Sequence, residues 1–147
     1  MFLNELNKKE AIAFVSLIEN LSKVDKVYSE CEKELINKYI KELSLPTEGR
    51  EVLTFDLAIK ELHDSSNRIK NIIYFELVGV ALLDGLYADK ELEFLNNLAA
   101  YFNISKEKQS AYEGYFRKVK YTFDITVVEP EAKIHEIEAL AEKLLAE

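Results

Sequence analysis

One thirteen-residue pattern occurs twice in this chain. Val24-Asp25-Lys26-Val27-Tyr28-Ser29-Glu30-Cys31-Glu32-Lys33-Glu34-Leu35-Ile36 returns as Leu83-Asp84-Gly85-Leu86-Tyr87-Ala88-Asp89-Lys90-Glu91-Leu92-Glu93-Phe94-Leu95, 59 residues later and without a gap. Asp, Tyr and two Glu fall at matching places, and the likeness runs on through Asn37/Asn96, Leu43/Phe102 and Leu45/Ile104. Self-similarity of this kind marks duplicated supersecondary units. The repeat therefore predicts two copies of one helix-loop-helix, about 14–45 and 73–104, within a single domain spanning 1–147.

Helical periodicity extends this reading from end to end. Asn7 and Glu10 form a capping box ahead of an apolar stripe of Ala11, Phe14, Val15, Ile18 and Leu21, so the first helix is expected over about 8–24. Ser29 and Glu32 make a second capping box, opening a helix with Leu35, Ile36, Tyr39, Ile40 and Leu43 that stops before Pro46. A short amphipathic piece covers Phe55 to Leu62. The polar cluster Asp64-Ser65-Ser66-Asn67 starts a fourth helix to about Leu83. A fifth spans 89–102, with Leu92, Leu95, Leu98, Ala99 and Phe102 inward. Ser105 caps a sixth whose face is Tyr112, Phe116, Val119, Phe123 and Val127. Residues 121–127 also alternate like a strand, but a lone strand has no pairing partner in a helical chain, so helix is expected there. Pro130 opens a last helix, about 130–146, with Ile134, Ile137, Leu140, Ala141, Leu144 and Leu145. The fold class expected is all-α, a single domain of about seven helices.

Composition narrows the function classes. With 48% hydrophobic and 31% charged residues in 147, the chain has the make-up of a globular domain. A net charge of −8 without a Lys/Arg cluster argues against a nucleic-acid partner. The greasiest stretch, Ile72 to Leu83, is too short to span a membrane and contains Glu76, so no membrane insertion is expected. The start lacks a signal-peptide pattern and Cys31 stands alone, so a reducing, cytoplasmic setting is expected.

The repeated acids are the one constellation with chemical potential. Asp25 and Asp84 each fall at the end of one helix, with Glu32 and Glu91 in the first turn of the next. An acid against a helix C-terminus opposes the dipole by about 0.3–1 kcal/mol, so its presence in both copies implies compensation. Either each Asp accepts N–H groups of the following helix, or it ligates a cation. Glu32 has a structural reading as the partner of Ser29 in its capping box. In the second copy Ala88 replaces Ser29, which weakens that reading for Glu91. EF-hand spacing fails, because position 12 counted from Asp84 is Leu95. Hard oxygen ligands would select Ca²⁺, Mg²⁺ or Mn²⁺ over Zn²⁺. Tyr28 and Tyr87 precede the helix starts and suit packing. His63 and His135 suit surface or rim positions, and Cys31, between Glu30 and Glu32, has nothing to activate it. Phosphate loops, CxxC and HExxH motifs are absent from the sequence, so no enzyme is expected.

The unit running from Leu82-Leu83-Asp84-Gly85 through Ala88-Asp89-Lys90-Glu91 to Leu95, after the apolar helix 72–83, resembles the TerB-like (tellurite-resistance B) family over about residues 8–128. The resemblance implies an all-α fold with a pseudo-twofold pair of helical units. It also implies divalent-cation binding at Asp84 and Glu91, extended by the repeat to Asp25 and Glu32. Lys26 stands where the family pattern has Gly, and its ammonium beside Asp25 can replace a cation there. Family membership does not imply an enzyme, and the family's roles span metal or oxyanion stress, phage defence and co-chaperone fusions.

Two functions follow as expectations. One is a non-enzymatic, cation-responsive scaffold in a bacterial stress response. The other is a metal-free module that docks a protein partner through its acidic surface or terminal helix. The terminal helix is expected to dock on the domain's own core, giving a monomer, with a homodimer through that helix as the alternative.

Overall fold

The helix boundaries keep the 59-residue register of the sequence. The computed structural model describes residues 3–24, 30–45, 52–82, 89–125 and 139–146. After a short 3-10 turn at Leu3–Glu5 come α1 (Lys8–Lys23), α2 (Glu30–Glu42), α3 (Phe55–Leu62), α4 (Asn67–Ala81), α5 (Asp89–Phe102) and α6 (Lys106–Ile125). Residues 139–146 are helical again, and no strand occurs among the described residues. The helices form one all-α bundle. α1 and α4 begin 59 residues apart, and so do α2 and α5.

Local chemistry sets both ends of each unit at matching positions. Asn7 caps α1 in a reciprocal box: its Oδ1 accepts from Glu10 N (2.8 Å), and Glu10 Oε1 accepts from Asn7 N (3.0 Å). The counterpart residue, Ser66, caps α4 through Oγ from Ile69 N (3.2 Å). At the far ends, Ser44 and Asn103 both take φ of 56°, the left-handed region. Leu45 N then donates to Ile40 O (3.0 Å) and Ile104 N to Ala99 O (2.9 Å). These are two Schellman closures in register, each satisfying a carbonyl left over at a helix end. Ser105 Oγ accepts from Lys108 N (3.2 Å), the cap expected for α6, whose helix continues through the alternating residues 121–125.

α1 and α4 are the centre. Each is buried nearly all round along its middle, from Ala13 to Glu19 and from Asn71 to Val78. They pack on each other; α2 and α3 pack on α1, and α5 and α6 on α4. A helix covered on every side needs neighbours on every side, and the duplication supplies them. The inward face of α5 is corrected in one respect. Leu92 is 41% exposed, and Phe94 is buried instead beside Leu95, Leu98, Ala99 and Phe102.

The third helices diverge. In the first unit, Ser16 Oγ accepts from Leu53 N (3.0 Å) and Asn20 Nδ2 donates to Ser16 O and Leu53 O (2.7 and 3.0 Å), pinning the chain before α3. The matching positions in the second unit are Phe75, Gly79 and Tyr112, and there rings replace hydrogen bonds. A Cβ at Gly79 would stand 2.7 Å from Phe116 Cε1, so glycine admits that ring against α4. His63 is exposed, as expected.

Residues 139–146 pack on the domain itself. Ala141 and Leu145 are buried, Leu140 and Leu144 partly so. Arg68, at the start of α4, clasps Glu5 with Nε to Oε1 (2.8 Å) and Nη2 to Oε2 (3.0 Å), and reaches Glu142 Oε2 at 3.2 Å. One guanidinium thus ties the first turn, α4 and the C-terminal segment together. Glu5 is held below its ordinary 4.5 by the Arg68 hydrogen bond. A lowered carboxyl stabilises the fold above its unfolded value and loses that contribution as pH falls through the folded one. Solvent reaches these groups, so Arg68→Met is expected to cost only about 1 kcal/mol at pH 7. The cost should shrink in 1 M salt and below pH 4; an undiminished cost in thermal melts under both conditions would contradict the ionic account.

Candidate functional site

The described flanks of the two acidic junctions come together. Val24, the cap residue of α1, lines a cleft of about 310 Å³ with Lys90, Glu93, Phe94 and Asn97 of α5. The end of the first unit's first helix therefore stands against the opening turns of the second unit's second helix. A second cleft, about 600 Å³, is lined by Glu34, Asn37, Lys38 and Lys41 of α2. Glu34 and Lys38 are the register counterparts of Glu93 and Asn97, so each second helix presents a cleft at the same level.

Of the four carboxylates singled out by sequence, Glu91 is placed most fully. It lies with Asp89 in the first turn of α5, partly exposed, where negative charge complements the helix dipole. Glu32 lies in the first turn of α2, and its side chain is outside the description. Asp25 and Asp84 lie outside the described residues, as do Ser29, Tyr28, Tyr87, Pro130 and His135. Among the described residues no three His, Cys, Asp or Glu gather closely enough to hold a metal ion.

Sequence reasoning passed over a different acid. Glu76 lies in the middle of α4 at 7% exposure, and its Oε2 accepts from the Tyr39 hydroxyl of α2 at 3.1 Å. Burial pushes the Glu76 carboxyl above its ordinary range. The Tyr39 phenol is driven well above its usual value by burial, then by the charge and hydrogen bond of Glu76. The signal was present: Glu76 is the lone acid in a twelve-residue apolar run. The first unit has Leu17 where the second has Glu76, and the second has Leu98 where the first has Tyr39. Both leucines are fully buried. One polar contact between the halves thus stands in register with two apolar residues.

A cleft that holds a titratable phenol opens between α4, α5 and α6. Tyr74, Asn96, Lys106, Gln109 and Glu113 line a space of about 280 Å³. Burial, then the neighbouring Glu113 charge, raises the Tyr74 phenol to about 12. At neutral pH it is a hydrogen-bonding group and not a base.

Comparison of the chain with known protein families, curated proteins and solved structures finds no match in any of the three.

Proposed function

We propose that this chain is a non-enzymatic, TerB-like helical module that binds a divalent cation, Ca²⁺, Mg²⁺ or Mn²⁺, at the acidic junctions following α1 and α4. It acts in the cytoplasm as a scaffold in a bacterial stress response. The observation that carries the reading is the register: two helix pairs start 59 residues apart and close on matched caps, with Asp25/Glu32 and Asp84/Glu91 at the same sequence positions in both. The cleft lined by Val24 and α5 brings the flanks of the two junctions to one surface, which favours the reading. No helix among the described residues is long and apolar enough to cross a membrane.

Isothermal titration of metal-stripped protein tests the reading. Wild type is expected to bind at least one of the three ions, and Asp84→Asn to weaken binding by about tenfold or more. Asp25→Asn is expected to do less, because Lys26 already offsets charge beside it. No heat with any ion, in wild type and both variants alike, would overturn the proposal and leave the acids as helix caps. The runner-up is a metal-free protein-docking module. It rests on the acidic surface, since residues 139–146 are already engaged with the core.

A further inference from the structure

A cleft of about 250 Å³ lies where the C-terminal end of α3, the first turn of α4 and the C-terminal end of α5 meet. Its apolar wall is Ile59, Phe102 and the ring of Tyr101; its polar groups are His63, Lys70 and Asn103. Lys70 Nζ donates to the His63 carbonyl oxygen at 3.0 Å, which holds the ammonium at the cleft. Tyr101 is 58% exposed, yet its ring stands edge-on to Phe55 at 5.9 Å, so it is steadied while offering a free face. None of the described lining residues is acidic, on a chain whose net charge is −8. The adjacent carboxylate of Asp64 is 3.7 Å from His63 Nδ1 and wholly solvent-exposed.

The repeat supplies an internal comparison. In the first unit, the positions of Lys70, Tyr101 and Asn103 are taken by Ala11, Glu42 and Ser44. Asn103 and Ser44 share the same left-handed backbone, so the two places have the same local fold. Only one of them carries a cation and an aromatic ring, and the other carries an acid. The chemistry of the cleft is thus not a by-product of the helix geometry.

We propose that this cleft binds a small organic carboxylate with a single ring or short branched apolar body. The carboxylate takes a charge-assisted hydrogen bond from Lys70 and the Asn103 side chain adds a neutral one. The apolar body lies between Tyr101 and Ile59, where offset or edge contacts favour a ring. The volume sits just below the roughly 300–1,000 Å³ of typical ligand sites, which suits a one-ring acid and is small for a nucleotide.

The probe is sodium benzoate, titrated into the isotope-labelled full chain at constant ionic strength and followed by amide chemical shifts. Saturable shifts are expected at residues around Lys70, Tyr101 and Asn103. Lys70→Ala should weaken binding about tenfold, the scale of one charge-assisted hydrogen bond. Tyr101→Ala should weaken it several-fold, and both side chains are exposed enough that the fold survives. Benzyl alcohol, with the ring and no charge, should bind at least tenfold more weakly than benzoate. The proposal is overturned if shifts at these residues do not saturate, if Lys70→Ala leaves affinity unchanged, or if acetate or inorganic phosphate binds as tightly as benzoate.

Discussion

Phe75→Ala is expected to lower the unfolding free energy by about 3–5 kcal/mol, the usual cost of emptying a buried aromatic site. Phe75 is 1% exposed, and its ring meets Tyr112 at 5.5 Å, Tyr115 at 5.1 Å and Phe116 at 4.7 Å. It meets more rings of α6 than its neighbour Tyr74, which reaches Tyr112 at 6.0 Å. The remaining rings are themselves in contact, Tyr115 with Phe116 at 5.0 Å, so they cannot collapse into the space without breaking their own packing. Ser16 occupies the same place in the first unit, and its hydroxyl contributes one hydrogen bond, from Leu53 N just ahead of the third helix. Ser16→Ala should therefore cost about 1–2 kcal/mol. Urea unfolding of both variants gives the comparison. A Phe75→Ala loss no greater than that of Ser16→Ala would show that the aromatic cluster is not what secures α6.

Replacing the buried pair, as Tyr39→Phe with Glu76→Leu, is expected to make the protein more stable than wild type by about 1–4 kcal/mol at pH 8. The hydroxyl and carboxylate are removed together, the ring of Tyr39 keeps its contact with Phe14 at 5.3 Å, and leucine is what the first unit already has at the matching position. Tyr39→Phe alone goes the other way, by about 1–3 kcal/mol, because it withdraws one donor from a carboxylate in the core. The pH dependence has a definite sign. Burial raises the Glu76 carboxyl, so the wild-type residue contributes fully below the unfolded value near 4.5 and loses that contribution as pH rises through the folded value. The advantage of the double variant should accordingly fall away as pH is lowered toward 4.5. A double-mutant cycle at pH 5 and pH 8 reads both effects; a gain that is the same at the two values would mean that the charge is not the cost.

Most of the bundle was legible because its rules are local. Asn7 and Glu10 announce the start of α1, Ser105 that of α6, and the 89–102 pattern reproduces α5 residue for residue. The errors and omissions lie where distant residues decide. Leu92 has the spacing of a core residue, but the covering helices reach Phe94 instead. Glu76 reads as an oddity in an apolar run, and its partner Tyr39 is 37 residues away, beyond any periodicity. The Lys70 cleft is assembled from three helices and has no spacing signature at all. For the acidic junctions the legible part was the repetition. The register of helix starts follows it, while Asp25 and Asp84 stand outside the described residues.

The exchange of Leu17 and Leu98 for Glu76 and Tyr39 has a consequence for how such a chain can change. Two separate copies joined as an isologous dimer must carry every substitution twice, once on each side of the axis. A buried acid would then appear in pairs, doubling its desolvation penalty at the join. Once both copies share a single polypeptide, that constraint is gone. One pair of matched positions can stay leucine, Leu17 from the first half and Leu98 from the second, while its counterpart becomes a phenol from the first half and a carboxylate from the second, and Lys70 can stand where its twin is Ala11. Covalent linkage here makes symmetry between the halves optional, and Glu76, Tyr39 and Lys70 are places where the two halves differ.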